Sequence, residues 1–153
     1  MEVQHFETIQ PEMMRRIEEA IYCIMATVDR RGRPRTRILH LVWDGPIGYV
    51  ITDPDSLKAK HLAENPHVSL AYYKEIEKPL YIEAAVEWIT DDAGMQRVWD
   101  LIKNTPPPIG FDPEPFYGDI HGEHFGVLKF TPWRIDLAEL FGESMIWRHI
   151  EYI

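Results

Sequence analysis

The sequence predicts a mainly β fold, an antiparallel barrel of six or seven strands with helices at its periphery. Apolar, β-branched and aromatic runs recur along the chain, and most are separated by short turns that contain glycine, proline or aspartate. Two helical segments interrupt the strands, and no internal repeat or linker divides the chain. Strands joined in this way must each bury one face, and an antiparallel barrel does so for all of them.

Composition limits the class of protein. The 153 residues are 45% hydrophobic and 27% charged, as is typical of one globular domain, and we expect that domain to span residues 1–153. The formal charge of −9 argues against a nucleic-acid partner, because binding to a phosphate backbone needs a basic surface. With no visible signal peptide and no apolar run of the roughly 20 residues that span a bilayer, we expect a cytoplasmic protein without a membrane partner.

The N-terminal part of the chain predicts one helix. Residues 1–10 are expected to be irregular, and the helix begins at Pro11, since proline is favoured in a first helical turn. Apolar residues recur at helical spacing from Met13 to Ile17, whereas Arg16 is assigned to the solvent-facing side. The helix is interpreted as a packing element at one end of the barrel.

The strands follow in order. The first is almost entirely apolar and contains the single cysteine, Cys23, which we interpret as an unreactive core residue that excludes an internal disulfide. Gly32 provides the turn into the second strand, since glycine accepts a positive φ. The predicted strands cover residues 21–29, 34–43, 47–52, 67–73, 80–90, 125–131 and 133–140.

Two more helices are predicted at 56–64 and 92–104. The first ends at Asn65-Pro66, because proline cannot continue a helix, and the second begins after an aspartate cap. The segment that follows, 105–124, contains five prolines and three glycines and is predicted to be a long loop without a regular element. Loops of this length in compact domains are usually functional, as lids or wrapping segments.

The turn into the helix at 56–64 predicts a site for an anion. Thr52, Ser56 and Lys58 place two hydroxyls and a cation at a helix N-terminus, where free backbone N–H groups favour negative charge. Side chains alternate along the preceding strand 34–43, so Arg35 and Arg37 point to the same face. These features together predict a phosphate site.

The same residues carry a resemblance to a known family. The spacing Thr–x3–Ser–x–Lys at Thr52, Ser56 and Lys58, followed by Leu–x2–Asn–Pro–x–Val–Ser–Leu at 62–70, resembles the pyridoxamine 5′-phosphate oxidase-like, FMN-binding split-barrel proteins. The resemblance covers roughly 21–90 and resumes at 125–135. It implies a Greek-key split β-barrel that forms a homodimer, with flavin bound at the subunit interface.

The resemblance also implies site residues. Ser56 and Lys58 would hold the FMN phosphate, with either Arg35 or Arg37 as a further contact, and Thr52 would face the flavin or its ribityl chain. The isoalloxazine would run along the backbone from Arg37 to His40. The cofactor-binding residues implied in this way are Arg35, Arg37, Ile38, Leu39, His40, Thr52, Ser56, Leu57, Lys58 and Trp147.

One departure separates the chain from the oxidase itself. Where that enzyme has a basic residue between the serine and the lysine, this sequence has Leu57, so one phosphate contact is missing. We therefore expect an FMN-dependent oxidoreductase of the wider family, with an unknown small-molecule substrate and unassigned catalytic residues. The alternatives are a reductase that uses an 8-hydroxy-5-deazaflavin coenzyme and a non-catalytic flavin-binding or stress-response protein.

The histidines predict no metal site. The run from Asp119 to His124 carries metal-capable side chains, but no cysteine or third histidine joins them nearby in sequence. His61 and His67 flank the predicted phosphate helix and are interpreted as polar residues at its rim. His40 is the one histidine expected to lie close to the flavin ring.

Overall fold

The computed structural model describes residues 1–149, and its fold is mainly β, as predicted. The strands are β1 (Glu2–Val3), β2 (Cys23–Val28), β3 (Pro34–Leu39), β4 (Val42–Asp44), β5 (Ile47–Ile51), β6 (His67–Tyr72), β7 (Leu80–Ile89), β8 (Val127–Leu137) and β9 (Met145–Arg148). The helices are α1 (Phe6–Ala20), α2 (Leu57–Glu64), α3 (Asp92–Asn104) and the one-turn α4 (Glu114–Tyr117).

One sheet contains all of these strands, in the order β1-β9-β8-β7-β6-β2-β3. Strand β5 pairs with the first half of β8 and carries β4 on its other edge. Neighbouring strands are antiparallel except for β1 and β9. In the described part of the chain, β3 pairs only with β2, so the sheet does not close and a gap separates β3 from β5.

Two apolar clusters fill the interior. The larger lies between α1 and the sheet and includes Ile9, Met13 and Ile17, none of which is exposed to solvent. The smaller packs α3 against β4, β5 and the start of β8, and Trp99 contacts Phe125 there with ring centroids 5.5 Å apart. The second cluster anchors the segment 105–124, because Ile109, Phe111, Tyr117 and Ile120 pack against it.

The N-terminal predictions were wrong in two respects. Residues 1–10 are not irregular, since β1 pairs with β9 across nearly the whole chain length and α1 begins at Phe6. Arg16 does not face solvent. It is 5% exposed, and its guanidinium donates to the carbonyls of Pro79 and Ala138 and to Glu139. These partners are far from Arg16 in sequence. The local pattern of residues therefore assigned Arg16 to the solvent-facing side of the helix.

The strand boundaries also differ from the prediction of six or seven strands. The segment 34–43 is two strands, because the chain leaves β2 as its partner after Leu39 and pairs with β5 from Val42 onward. The two strands predicted around Pro132 are instead one strand, β8. Its register against β7 shifts between Glu83 and Ala84, and this bulge accommodates the proline. In the described chain these changes, with β1 and β9, give nine strands.

In the described chain, no helix combines the length and the apolar character needed to cross a bilayer.

Candidate functional site

The start of α2 has the geometry of an anion site. Ser56 caps the helix, and its Oγ accepts from the backbone N–H of Ala59 at 3.4 Å. The ammonium of Lys58 lies 3.4 Å from the same hydroxyl. The free N–H groups of the first helical turn lie beside these side chains, so partial positive charge adds to the charge of Lys58.

Arg37 extends this positive region from the neighbouring strand. Burial and the nearby charge of Arg37 lower the pKa of Lys58, and burial and the charge of Arg35 lower the pKa of Arg37. Nearby Asp53 acts in the opposite direction on Lys58 and binds His124, 3.2 Å away. Within residues 1–149, no carboxylate forms an ion pair with Arg35, Arg37 or Lys58. Other surface cations do form ion pairs with carboxylates. Like charges held together without an ion-paired carboxylate favour a bound anion.

Thr52 is fixed at the end of β5. It is 6% exposed, and its N–H donates to the carbonyl of Gly126 at 2.9 Å. A Cβ at position 126 would lie 2.8 Å from the carbonyl oxygen of Thr52, so this approach requires glycine. The predicted Thr52 therefore lies at the end of β5, whereas Ser56 and Lys58 lie together at the start of α2.

A cavity of about 250 Å³ lies in the gap between β3 and β5. It is lined by Tyr22, Ile38, Leu39, His40, Val42, Tyr49, Val50, Ile51, Ile102 and Phe111. Three predicted site residues, Ile38, Leu39 and His40, therefore face a common space. Arg37 and Leu39 both belong to β3, which borders this gap. The cavity therefore lies next to the cation group, that is, Lys58 and Arg37.

His40 lies between two aromatic rings at this cavity. Its centroid is 5.7 Å from that of Tyr22 and 5.9 Å from that of Phe111, both in edge-on contact. Burial lowers the pKa of His40, which favours the neutral imidazole. A neutral imidazole offers one donor and one acceptor.

A second, more open cleft lies on the other side of α2. It has a volume of about 700 Å³ and is lined by Asp29, Arg30, Arg31, Arg33, Arg35, Leu57, Lys60, His61, Ala63 and Glu64. Asp29 is bound by Arg33 and Glu64 by Arg30, which leaves the lining with a surplus of positive charge. Leu57, a predicted cofactor contact, is exposed at the rim of this cleft.

Trp147 occupies a different part of the structure. Its indole is buried between β9 and α1, with the ring of Phe6 5.7 Å away. Strands β9 and β3 lie toward opposite ends of the strand order, and Trp147 is not brought to the cation group of its own chain.

Two exposed histidines each lie beside one carboxylate. His121 lies 3.5 Å from Asp92, and His124 pairs with Asp53. Across residues 1–149, no group of three or more His, Cys, Asp or Glu side chains is arranged to hold a metal ion.

Sequence analysis missed several residues of the two cavities. Phe111 and Tyr22 reach the first cavity from outside β3 and β5, and Arg31 and Lys60 line the second. The aromatic content of the segment 105–124 was the only signal for Phe111. Arg31 belongs to a hairpin turn and Lys60 to a helix. Local sequence pattern does not indicate that the turn and the helix face each other.

Comparison with known proteins identifies the family. The profile described as pyridoxamine 5′-phosphate oxidase matches residues 9–109, well over half of the chain. The chain belongs to this family. The matched region contains β2, β3, β5 and α2, and so includes the whole cation group and most of the first cavity.

Curated family members match over a shorter region. The pyridoxine/pyridoxamine 5′-phosphate oxidase of Paraburkholderia phymatum is 42% identical over 64 residues, which is 40% of this chain and 30% of the relative. That of Bacteroides thetaiotaomicron is 33% identical over 79 residues, 50% of this chain and 37% of the relative. The matched part of this chain thus spans about a third of the length of these relatives.

Solved structures share the fold of this family member. A Clostridium acetobutylicum protein related to general stress protein 26 has a TM-score of 0.73 at 16% identity, covering 96% of this chain and 99% of that chain. An FMN-binding protein of Nostoc punctiforme has a TM-score of 0.65 at 21% identity, covering 88% and 85%. A structure named an F420 reductase has a TM-score of 0.57 at 17% identity, covering 79% and 93%. The prediction of a split barrel is confirmed.

Proposed function

We propose that this protein is an FMN-binding oxidoreductase that acts on a small molecule. The observation that carries the proposal is the group of cations at the start of α2, which repel one another and have no carboxylate partner among residues 1–149. A phosphate dianion there would relieve the repulsion between Lys58 and Arg37. It would also accept hydrogen bonds from Ser56 and from the free N–H groups of α2.

The two arginines receive different roles in this proposal. Arg37 is half-buried and close enough to Lys58 to lower its pKa, whereas Arg35 is exposed and lines the open cleft. We therefore assign Arg37 to the phosphate. Hydrogen bonds to charged groups contribute about 1.5–3 kcal/mol each, so Lys58, Arg37 and Ser56 together are sufficient to anchor one phosphate.

The flavin ring would follow β3 away from the phosphate. The backbone of Ile38, Leu39 and His40 would run along the isoalloxazine, and Thr52 would border the ribityl chain. FMN supplies redox chemistry through its ring, and the chain supplies binding, orientation and exclusion of water. The FMN-binding protein of Nostoc punctiforme, which has the same fold, supports this choice of cofactor.

A homodimer is the proposed assembly. Exposed apolar side chains form a row across the outer face of the sheet: Ile38 is 69% exposed, Ile24 39% and Tyr81 43%. Ile38 pairs with Ile24, Ile24 with Ala71, and Ala71 with Tyr81, so the row crosses four adjacent strands. A continuous apolar row of this kind is typical of a protein–protein interface. Because Ile38 also lines the first cavity, a second subunit on this face would border that cavity.

A deazaflavin coenzyme is the second candidate, and the basic cleft favours it. Arg30, Arg31, Arg33, Arg35 and Lys60 provide five positive charges against the two negative charges of Asp29 and Glu64, a difference of three. Such a cleft beside the phosphate site would suit the acidic tail of this coenzyme. The structural neighbour named an F420 reductase has the same fold.

An absorption spectrum of the purified protein, before and after incubation with each cofactor, tests the proposal. Bound FMN gives two visible bands that bleach on reduction, whereas a deazaflavin gives one dominant band at shorter wavelength. The double variant Ser56→Ala/Lys58→Ala is expected to lose FMN while its circular dichroism spectrum stays unchanged. Lys60→Ala is the matched control, because Lys60 lies on the same helix but faces the other cleft. Equal FMN affinity in the double variant and the control would contradict the phosphate assignment.

A further inference from the structure

We propose that the cavity between β3 and β5 binds a small, uncharged, planar ligand, with His40 as its polar contact and Phe111 as its wall. The role of this ligand as the substrate rests on the proposed flavin site, whereas the existence of the binding site does not. The proposal assigns a function to the segment 105–124, which carries Phe111.

The lining of the cavity selects the chemical class of ligand. Its side chains are apolar except for those of Tyr22, His40 and Tyr49, and none carries a permanent charge. A charged ligand would lose its hydration there without gaining a counterion, so an uncharged ligand is favoured. The volume of about 250 Å³ is below the roughly 300–1,000 Å³ of pockets for drug-sized ligands, which points to a compound with one or two rings.

His40 is the polar contact because its ring nitrogens are available. Among residues 1–149 the His40 imidazole makes ring contacts with Tyr22 and Phe111 but no hydrogen bond. The neighbouring aromatic rings fix the imidazole plane and leave its N–H and its acceptor nitrogen for a ligand. A carbonyl, amide or nitro group on a planar compound fits this arrangement.

Phe111 is held in place by its own chain. Its N–H donates to the carbonyl of Ile102 at the end of α3, at 3.3 Å. The preceding Gly110 has no room for a side chain, since a Cβ there would collide with the backbone of Thr105. Phe111 also contacts Phe116, with centroids 6.0 Å apart. The segment 105–124 thus provides a preformed wall over the site of its own subunit.

The position of the cavity connects it to the proposed reaction. It adjoins the end of β3 that is remote from Arg37, where the proposed flavin ring would end. A planar ligand between Phe111 and that ring edge would have its reactive atoms next to the cofactor. The aromatic wall would select planar substrates over branched aliphatic ones, because flat rings pack against each other with little loss of contact.

Titration with benzamide, an uncharged planar probe, tests the site. Binding is followed by NMR through the imidazole proton signals of His40, in the FMN-free protein and in the FMN-saturated protein. We expect benzamide to shift the His40 signals and to bind about ten-fold tighter than benzoate, its charged analogue. Phe111→Ala is expected to weaken benzamide binding about ten-fold, and His40→Leu, followed through the proton signals of benzamide itself, to weaken it by a similar factor.

Phe141→Ala is the matched control, because Phe141 is 86% exposed and lies outside the cavity and the segment 105–124. It should leave benzamide affinity unchanged, and its circular dichroism spectrum together with that of Phe111→Ala verifies folding. Equal affinity for benzamide and benzoate, or equal affinity in Phe111→Ala and Phe141→Ala, would overturn the proposal.

The FMN-saturated sample separates this inference from the proposed function. Retained benzamide binding supports a ligand site beside the ring, whereas competitive displacement by FMN assigns the cavity to the ring itself and overturns the inference. If the protein takes up no flavin, the proposed function fails, and the titration of the FMN-free protein still decides whether the cavity is a ligand site.

Discussion

The hydroxyl oxygen of Thr27 lies 2.9 Å from Nδ1 of His61, and this buried hydrogen bond joins β2 to helix α2. Thr27 is not exposed at all, and His61 is only 6% exposed. Helix α2 begins with the capping Ser56 and carries Lys58 in its first turn. The bond therefore fixes the position of the anion site relative to the sheet that carries Arg37.

Thr27→Val is expected to lower the free energy of unfolding by about 1–3 kcal/mol, because it leaves the His61 imidazole buried without its partner. It should also weaken FMN binding through displacement of α2. Urea denaturation and flavin titration measure the two effects. Thr36→Val is the control, since Thr36 is exposed on the neighbouring strand and its replacement should change stability by less than about 0.5 kcal/mol. Equal stability in both variants would argue against this bond.

The assignment of the phosphate to Arg37 predicts unequal effects of two matched substitutions. Arg37→Gln should weaken FMN binding by about 1.5–3 kcal/mol, as expected for loss of one charged hydrogen bond. Arg35→Gln should change FMN affinity by less than about 1 kcal/mol, because an exposed charge is screened by solvent. Fluorescence titration of FMN into each variant measures both. A larger loss in Arg35→Gln would reverse the assignment.

Lys58 predicts a pH dependence of flavin affinity. Its pKa is lowered by burial and by Arg37, so the free protein begins to lose this charge below the ordinary lysine pKa of 10.5. FMN affinity should therefore fall as pH rises from neutral toward 10. The stability of the flavin-free protein should rise over the same window, because the unfolded chain binds this proton more tightly.

Lys58→Arg is the control for this pH dependence, since arginine stays charged throughout. Its FMN affinity should vary less with pH than that of the wild-type protein, and the flavin ring titrates equally in both samples. Parallel pH profiles for the two proteins would rule out Lys58 as the titrating group.

The apolar row on the sheet predicts a dimer that depends on Ile38. Ile38→Asp should convert the proposed homodimer to a monomer, because a carboxylate would be buried without a partner at the interface. Light scattering coupled to size-exclusion chromatography measures the mass. Leu140→Asp is the control, as Leu140 is 64% exposed and lies outside the row. A wild-type monomer, or an Ile38→Asp dimer, would refute this interface.

Cys23 is expected to be unreactive in the folded protein. It is 1% exposed, and burial raises the pKa of its thiol to about 11. At pH 8 only about one molecule in a thousand would carry the thiolate, which is the reactive form. An aromatic disulfide reagent should label Cys23 only after denaturation. Rapid labelling of the native protein would contradict the core position.

Local sequence signals predicted the parts of the proposed site that are contiguous in the chain. Thr52, Ser56 and Lys58 belong to one turn and one helix start, and their spacing alone predicts that they meet. The alternation of β3 likewise placed Arg35 and Arg37 on one face. Sequence left open which arginine joins the phosphate site, because that depends on how α2 packs against the sheet.

Two kinds of information came only from the folded chain. Arg16 has the sequence context of a solvent-facing residue, yet it is buried and donates to the carbonyls of Pro79 and Ala138. Phe111 and His40 are separated by seventy-one residues, and the packing of the segment 105–124 on α3 brings their rings together. Non-local contacts of this kind depend on the shape of the whole core and leave little trace in local periodicity.

The sequence by itself determined the β class, the cation-bearing turn between β5 and α2, and the family, because each depends on residues close together in the chain. Only the tertiary structure decided the gap between β3 and β5, the separate positions of Arg35 and Arg37, and the aromatic wall at His40. The physical reason is that these features arise between elements, where strand pairing and side-chain packing fix distances that local spacing cannot encode.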